Sequence, residues 1–569
     1  MTANERFQYW LGYEKLDGDI RAELLSIKDD EKEIYERFYG ELEFGTAGLR
    51  GVLGAGSARM NIYTVNVATQ GLAAFLNASC EKPSCAIAYD SRNFSAEFAR
   101  SAACVLAANG VQVHLYPELM PTPSLSFAVR HLHCDAGIVI TASHNPAKYN
   151  GYKVYGPDGC QLTVESSAKV SDYIAKTDIF KDVKTVDYDA AIADGSIKLI
   201  GQDVVDAYIA AVKACSLSDD PAANAALKVV YTPLNGAGNK CVRRILKEIG
   251  VTDITVVPEQ EQPDGNFPTC PFPNPEIKEA LHLGLELSKK VGPDLLLATD
   301  PDSDRVGIAV RQDGQYQLLT GNEVGVLLLD YICKRKLEQG TMPERPVAVK
   351  SIVTSKMADR VAEHYGVEMR NVLTGFKFIG EQIYLLEQEG HPERYLLGFE
   401  ESYGYLSGSY VRDKDAVDGS MLICEMAAYY KKQGRTLVDV LNSLYEQYGY
   451  YKNMVFDFAF EGADGMANMT KLMDSIRQNP PKALIGKDIV RTVDYKTGTG
   501  EEAGKPFTVN LPSSNVLEYG LSDGSSFIIR PSGTEPKIKI YLSAKGATRE
   551  ESELITARMK EEITVLIKG

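Results

Sequence analysis

A serine and a histidine stand side by side in Thr141-Ala142-Ser143-His144-Asn145-Pro146, directly after the apolar run Gly137 to Ile140. A hydroxyl held at a strand end can serve as a covalent nucleophile once a neighbour activates it, although Ser, Asn and Pro also build ordinary turns. The chain continues to Lys153, whose ammonium is expected near the same point. A second loop, Asp300-Pro301-Asp302-Ser303-Asp304-Arg305, places three carboxylates at alternate positions after the apolar run Leu295 to Ala298. Like charges that converge repel unless a cation compensates them, and carboxylate ligands suit a hard divalent ion, Mg²⁺ or Ca²⁺. An EF-hand is excluded: Arg305 stands where that loop needs its turn glycine, and Arg311 where it needs its bidentate acid.

Three further loops carry polar side chains. Glu400, Glu401 and Ser402 follow Leu396 to Phe399, with Arg412, Asp413, Lys414 and Asp415 close behind. Acids and hydroxyls at a strand end can hold vicinal sugar hydroxyls, and a salt-bridged structural loop has the same composition. Arg530-Pro531-Ser532-Gly533-Thr534 follows Phe527 to Ile529. One guanidinium, two hydroxyls and a glycine that exposes backbone amides together make a phosphate cradle. The glycine-rich stretch Glu43 to Gly51 contains Arg50, and as a bare glycine pattern it says little.

Most of these loops leave the end of an apolar run, which is where ligands bind in α/β sheets. The elements behind them repeat. A β-branched run, a helix ending in Gly-Val and another apolar run occur from Cys85 to Tyr116 through Gly110. They recur from Leu227 to Val257 through Gly250, and from Val347 to Val372 through Gly366. That is the βαβ pattern, with glycine supplying the left-handed turn that ends each helix. The expected fold is three similar α/β domains with mixed sheets, followed by a smaller α+β domain. Short strands are expected at 492–495, 507–511, 516–519, 526–530 and 537–542, a loop at 498–505, and a helix over Glu550 to Ile567. The first forty residues have helical spacing and are expected to form a leading arm. The expected domain spans are 1–205, 206–320, 321–455 and 456–569.

The chain of 569 residues is long enough for about three to five domains. Hydrophobic residues at 44% and charged residues at 24% are globular proportions, which exclude a disordered or membrane-embedded chain. A net charge of −16 repels nucleic acid and anionic membranes, so an anionic ligand needs a locally basic pocket. Ten scattered cysteines without a Cys-x-x-Cys argue for reduced thiols, and with no leader or spanning pattern the expected location is the cytoplasm.

Together the loops resemble those of the α-D-phosphohexomutase family, and more narrowly its phosphoglucomutases. Thr141 to Pro146 is similar to the family's phosphoserine loop, and Asp300 to Arg305 to its metal loop. Gly398 to Ser402 resembles a variant of its sugar loop, and Arg530 to Pro536 its phosphate-binding loop. The resemblance implies four domains around a central cleft. It implies that Ser143 carries a phosphoryl group and, with Asp300, Asp302 and Asp304, binds Mg²⁺. Arg50 and Arg305 would then add positive charge, while Lys153 and His144 move protons. Thr374, Gly375, Glu400 and Ser402 would hold the sugar; Arg412, Lys414, Arg530, Ser532, Gly533 and Thr534 would complete the substrate site. The expected reaction interconverts glucose 1-phosphate and glucose 6-phosphate through glucose 1,6-bisphosphate. The sugar loop departs from the Gly-Glu-Met-Ser-Gly-His pattern of enzymes that also use mannose phosphates, and relatives acting on pentose phosphates share the broad pattern. Phosphopentomutase and phosphomannomutase activities are therefore the alternatives. The expected partners are small sugar phosphates, with no nucleic acid or membrane among them.

Overall fold

Apolar alternation and glycine-terminated helices build the same unit three times in this computed structural model, which describes residues 1–45, 48–460, 464–532 and 536–568. The three sequence repeats fold as strand, helix and parallel strand. They are Ser84–Tyr89, Ser95–Ala108 and Gln112–Leu115, then Lys228–Thr232, Gly238–Glu248 and Asp253–Val256, then Val347–Ser351, Met357–Tyr365 and Glu368–Val372. Gly110, Gly250 and Gly366 take φ values of +78°, +95° and +67°, the left-handed turn that each helix end needs.

The chain divides into two compact units. The first comprises Met1–Leu319, Ile379–Tyr395 and Ser402–Gly434, and the second Thr320–Phe378, Leu396–Glu401 and Arg435–Gly569. The first unit holds two mixed sheets. One runs Leu49–Val52, Tyr149–Tyr155, Ala136–Ile140, Ser84–Tyr89, Gln112–Leu115 and Ile197–Leu199, with the first two strands antiparallel to their neighbours. The other runs Gln315–Leu319, Val306–Gln312, Leu295–Thr299, Lys228–Thr232 and Asp253–Val256, antiparallel on one side and parallel on the other. The antiparallel edge matters: it makes Asp300 to Arg305 the loop of a hairpin, with Thr299 opposite Val306.

The N-terminal residues are helical, as their spacing predicts. Helices Ala3–Leu11, Gly18–Ser26 and Glu31–Phe38 bury Phe7, Trp10, Leu24, Ile34 and Phe38 in a core of their own, joined by Ala55 and Tyr63. Their apolar residues recur at helical spacing, and a stripe of that size is stable only when covered.

In the second unit, strands Glu368–Val372, Val347–Ser351 and Tyr395–Glu400 are neighbours in that order. An antiparallel sheet follows in the order Tyr450–Ala459, Lys537–Gly546, Ser526–Pro531, Leu517–Leu521, Lys487–Asp494, Thr499–Glu502 and Lys505–Thr508. Helices Gly465–Gln478 and Arg549–Lys568 contribute Met469, Met473, Met559 and Ile563 to its core. The stretch 498–505, expected as a loop, contains the strand Thr499–Glu502, which pairs with Lys505–Thr508. The ten-residue strand Tyr450–Ala459 pairs along its whole length with 537–546 and so crosses residue 455, where the third and fourth domain spans were expected to meet. Among the described residues no helix is long and apolar enough to cross a membrane.

Candidate active site

The strand Ala136–Ile140 is fully buried and ends at the nucleophile loop. Ser143, 5% exposed, has φ +51°, a left-handed conformation that its surroundings must enforce. Its amide donates to Thr141 Oγ1 at 2.8 Å, and its Oγ donates to Asp300 Oδ2 at 2.9 Å. His144 Nδ1 lies 3.2 Å from the same Oγ. Burial, reinforced by Arg305, depresses the His144 imidazole to about 2, so the ring is neutral at physiological pH.

Asp300, Asp302 and Asp304 are buried, with carboxylate oxygens within 4.8 Å of one another. Amides of Asp304 and Arg305 each donate to Asp300 Oδ1 at 3.0 Å. Asp302 Oδ2 accepts from Thr122 Oγ1 and Thr141 Oγ1, both at 3.2 Å, and from Lys153 Nζ at 3.3 Å. Lys414 Nζ reaches Asp304 Oδ2 at 2.8 Å. Burial and the neighbouring carboxylates push Asp300 well above the usual range. Burial also raises Asp302, but Lys153 and Lys414 outweigh it and hold that carboxyl well below the range. Burial and the charge of Asp302 raise Asp304.

Two unit charges about 4 Å apart repel by about 4 kcal/mol at an effective dielectric of 20, so three converging carboxylates need compensating positive charge. Asp302 Oδ1 and Asp304 Oδ1 are buried and accept no hydrogen bond. Hard oxygen donors left open in a closed cluster fit a divalent cation.

The other expected residues divide between the two units. In the first, Lys153 sits opposite Val139 on the neighbouring strand, which brings it beside the nucleophile loop. Arg305 pairs with Glu276 and lies 3.8 Å from Asp304 Oδ1. Arg50 pairs with Gly151 across the sheet, and its charge acts on Asp302 and Asp304. The strand can lie this close because Gly48 has no side chain: a Cβ there would come within 1.9 Å of the Tyr152 carbonyl. Ser402 belongs to this unit. Lys414 is placed at the aspartate cluster.

Arg412 is held by acceptors of the protein itself. Only 1% exposed, it donates to Glu387 and to the carbonyls of Ser409 and Val411. Its buried guanidinium is held by these acceptors and pairs with Glu387.

In the second unit, Gly375 donates its amide to Glu400 Oε1 at 2.8 Å, and Thr374 Oγ1 is buried without a hydrogen-bond partner. Arg530 is the penultimate residue of the strand Ser526–Pro531, with Nη1 3.5 Å from the Tyr541 hydroxyl, and the Ser532 amide donates to the Lys537 carbonyl. Gly533 and Thr534 lie outside the described residues.

Sequence reasoning passed over Thr122, Thr141 and Arg92. Arg92 donates to the carbonyls of Ser143, Asn145, Pro146 and Tyr149. Its signal was present: Asp90-Ser91-Arg92 follows a buried strand, and a charged pair at such a strand end needs a purpose.

Four family models match in succession: phosphoglucomutase/phosphomannomutase alpha/beta/alpha domain I over residues 41–180, domain II over 206–314, domain III over 320–448, and the C-terminal domain over 489–561. A phosphoglucomutase of Staphylococcus saprophyticus is 39% identical over 518 residues, covering 90% of this chain and 92% of that protein. Two solved structures share the fold. A phosphoglucomutase/phosphomannomutase family protein of Burkholderia thailandensis is 20% identical, with TM-score 0.68 over 92% of this chain and 96% of that one. The Paramecium phosphoglucomutase pp63/parafusin in its open form is 19% identical, with TM-score 0.69 over 93% and 95%.

Proposed function

The chain belongs to the phosphoglucomutase/phosphomannomutase family, and on that premise we propose that it is an intramolecular phosphotransferase interconverting glucose 1-phosphate and glucose 6-phosphate. The observation that carries the reading is the Ser143 hydroxyl, 2.9 Å from a carboxylate of a buried aspartate cluster.

Asp300, Asp302 and Asp304 would hold Mg²⁺ together with an oxygen on Ser143. When bound, that ion supplies charge neutralisation and polarisation of the phosphoryl group. Ser143 passes its phosphoryl to O6 of glucose 1-phosphate: the P–Oγ bond breaks, a P–O6 bond forms, and the O6 proton ends on Oγ. His144, neutral and beside Oγ, and Lys153 are the groups assigned to carry that proton. The glucose 1,6-bisphosphate formed turns over, returns its 1-phosphoryl to Ser143 and leaves as glucose 6-phosphate. Arg50 and Arg305 add positive charge to a chain of net −16, which focuses phosphate on the site. Glu400, Thr374, Gly375 and Ser402 are assigned to the sugar hydroxyls. Arg530, Ser532, Gly533 and Thr534 are assigned to the phosphate that is not reacting, and Lys414 to the aspartate cluster first.

Peptide mass spectrometry before and after exposure to glucose 1,6-bisphosphate, with coupled turnover assays, tests this. One phosphoryl group is expected on Ser143, and Ser143→Ala is expected to stay folded and lose activity by several orders of magnitude. Turnover retained in that variant would refute the nucleophile. Deoxyribose 1-phosphate or mannose 1-phosphate outrunning glucose 1-phosphate would move the substrate, and net release of inorganic phosphate would mean a phosphatase.

A further inference from the structure

We propose that Arg92 is the positioning residue of the nucleophile loop, fixing the carbonyl side of residues 143 to 149 so that the Ser143 hydroxyl faces the aspartate cluster. The proposal rests on the phosphoserine reading above.

The Arg92 side chain is fully buried and sits after the strand Ser84–Tyr89. Its Nη1 donates to the carbonyls of Pro146 and Tyr149, both at 3.1 Å, and its Nη2 donates to those of Ser143 and Asn145. One planar cation thus takes four carbonyls from seven consecutive residues. The guanidinium is itself held. Its Nε lies 3.4 Å from Asp90 Oδ2, and its own amide donates to Asp90 Oδ1 at 2.9 Å. The Phe267 ring lies 5.1 Å from its central carbon. The loop carrying Phe267 packs close because Gly265 has no side chain: a Cβ there would come within 2.3 Å of the Asn93 amide.

This grip answers two physical needs. Ser143 is left-handed, and a serine stays so only when both sides of its backbone are tied. Thr141 Oγ1 ties the amide side and Arg92 the carbonyl side. A phosphorylated Ser143 would also carry about −1.5 to −2 charges, which the negative ends of nearby carbonyls repel. Turning the Ser143 and Asn145 carbonyls onto a cation removes that repulsion. Lysine cannot replace the arginine, because an ammonium offers three donors from one point and cannot serve four acceptors in a plane.

The test compares Arg92→Lys with wild type in turnover and in amide hydrogen exchange. Arg92→Lys is expected to melt within a few degrees of wild type while kcat falls by about 100-fold, the effect of misplacing a reacting group by about 1 Å. KM for glucose 1-phosphate is expected to change by less than about threefold, since Arg92 touches no substrate. Exchange at residues 142–150 is expected to quicken while Leu295–Thr299 is unaffected. A kcat within about threefold of wild type, or a loss confined to KM, would overturn the proposal. Unchanged exchange at 142–150 would do the same. If Arg92→Lys does not fold, Phe267→Leu decides: it keeps every hydrogen bond and removes the stacked ring, and smaller shifts in both readouts are expected, none being the refuting result. A wild-type enzyme inactive on glucose phosphates would defeat the functional reading alone, because the exchange measurement needs no substrate.

Discussion

Ser143 Oγ and Asp300 Oδ2 are 157 residues apart in the chain and 2.9 Å apart in the fold. Two separate strand ends, one in each sheet of the first unit, must meet for this to happen. The Thr141 hydroxyl, which donates to Asp302 Oδ2, ties the same two loops together, and the Thr122 hydroxyl adds a bond to that carboxylate from the start of the helix Thr122–His131. A hydroxyl placed against a carboxylate gains little as a nucleophile unless the carboxylate's charge is shared, and that is the role proposed for a cation at the cluster.

Chelation is therefore expected to remove both activity and stability. Protein stripped of divalent ions should lose turnover and melt a few degrees lower, with Mg²⁺ restoring both, since a ligand at about 100 times its Kd stabilises by about 2.7 kcal/mol. Asp302→Asn should abolish the Mg²⁺-dependent rise. Identical melting and turnover in chelated and Mg²⁺-supplemented buffer would defeat the assignment of the cluster as a metal site.

Arg412 leads to the opposite expectation. Removing one partner of a buried pair costs about 3–5 kcal/mol, and the cost here falls below that range because Glu387 is 38% exposed and keeps Arg130. Arg412→Met should thus lower stability by about 2–3 kcal/mol in denaturant titrations while KM for glucose 1-phosphate stays within about twofold. A tenfold rise in KM with unchanged stability would instead favour a substrate contact for Arg412.

The repeats were legible because each has a period that only one element satisfies: β-branched runs for strands, and glycine after a helix at 110, 250 and 366. The Ser143 loop and the aspartate cluster were legible as candidate sites because a serine and three aspartates are chemically unusual after buried strands. Arg92 was missed, and the contact of Lys414 with Asp304 was not foreseen, for a shared reason. Each acts on residues distant in sequence, 51 positions from Ser143 in one case, and a lone cation reveals nothing of the acceptors that the fold brings to it. The N-terminal helices were legible from their spacing, but helical spacing identifies a face to be buried without saying against what, so the core they form was not. The strand Thr499–Glu502 was hidden by Gly498, Gly500 and Gly504, which weaken every strand signal in that hairpin.

Glu518 offers a pH-dependent test within the second unit. It is 2% exposed and joins Lys356 Nζ at 2.9 Å and the Tyr495 hydroxyl at 2.6 Å. Burial raises its carboxyl, but Lys356 and the Tyr495 hydrogen bond outweigh that and hold it at about 2, against an ordinary 4.5. A carboxyl depressed in the folded state contributes stability that is fully present above the unfolded value and is lost as pH falls through the folded one. The shift corresponds to about 3 kcal/mol at neutral pH. Glu518→Gln should therefore melt well below wild type at pH 7, with the gap narrowing once pH drops under about 4.5 and nearly gone by about pH 2. A gap that stays constant down to about pH 3 would mean that the lysine pair contributes nothing through charge, and that the glutamate matters only as a hydrogen-bond acceptor for Tyr495.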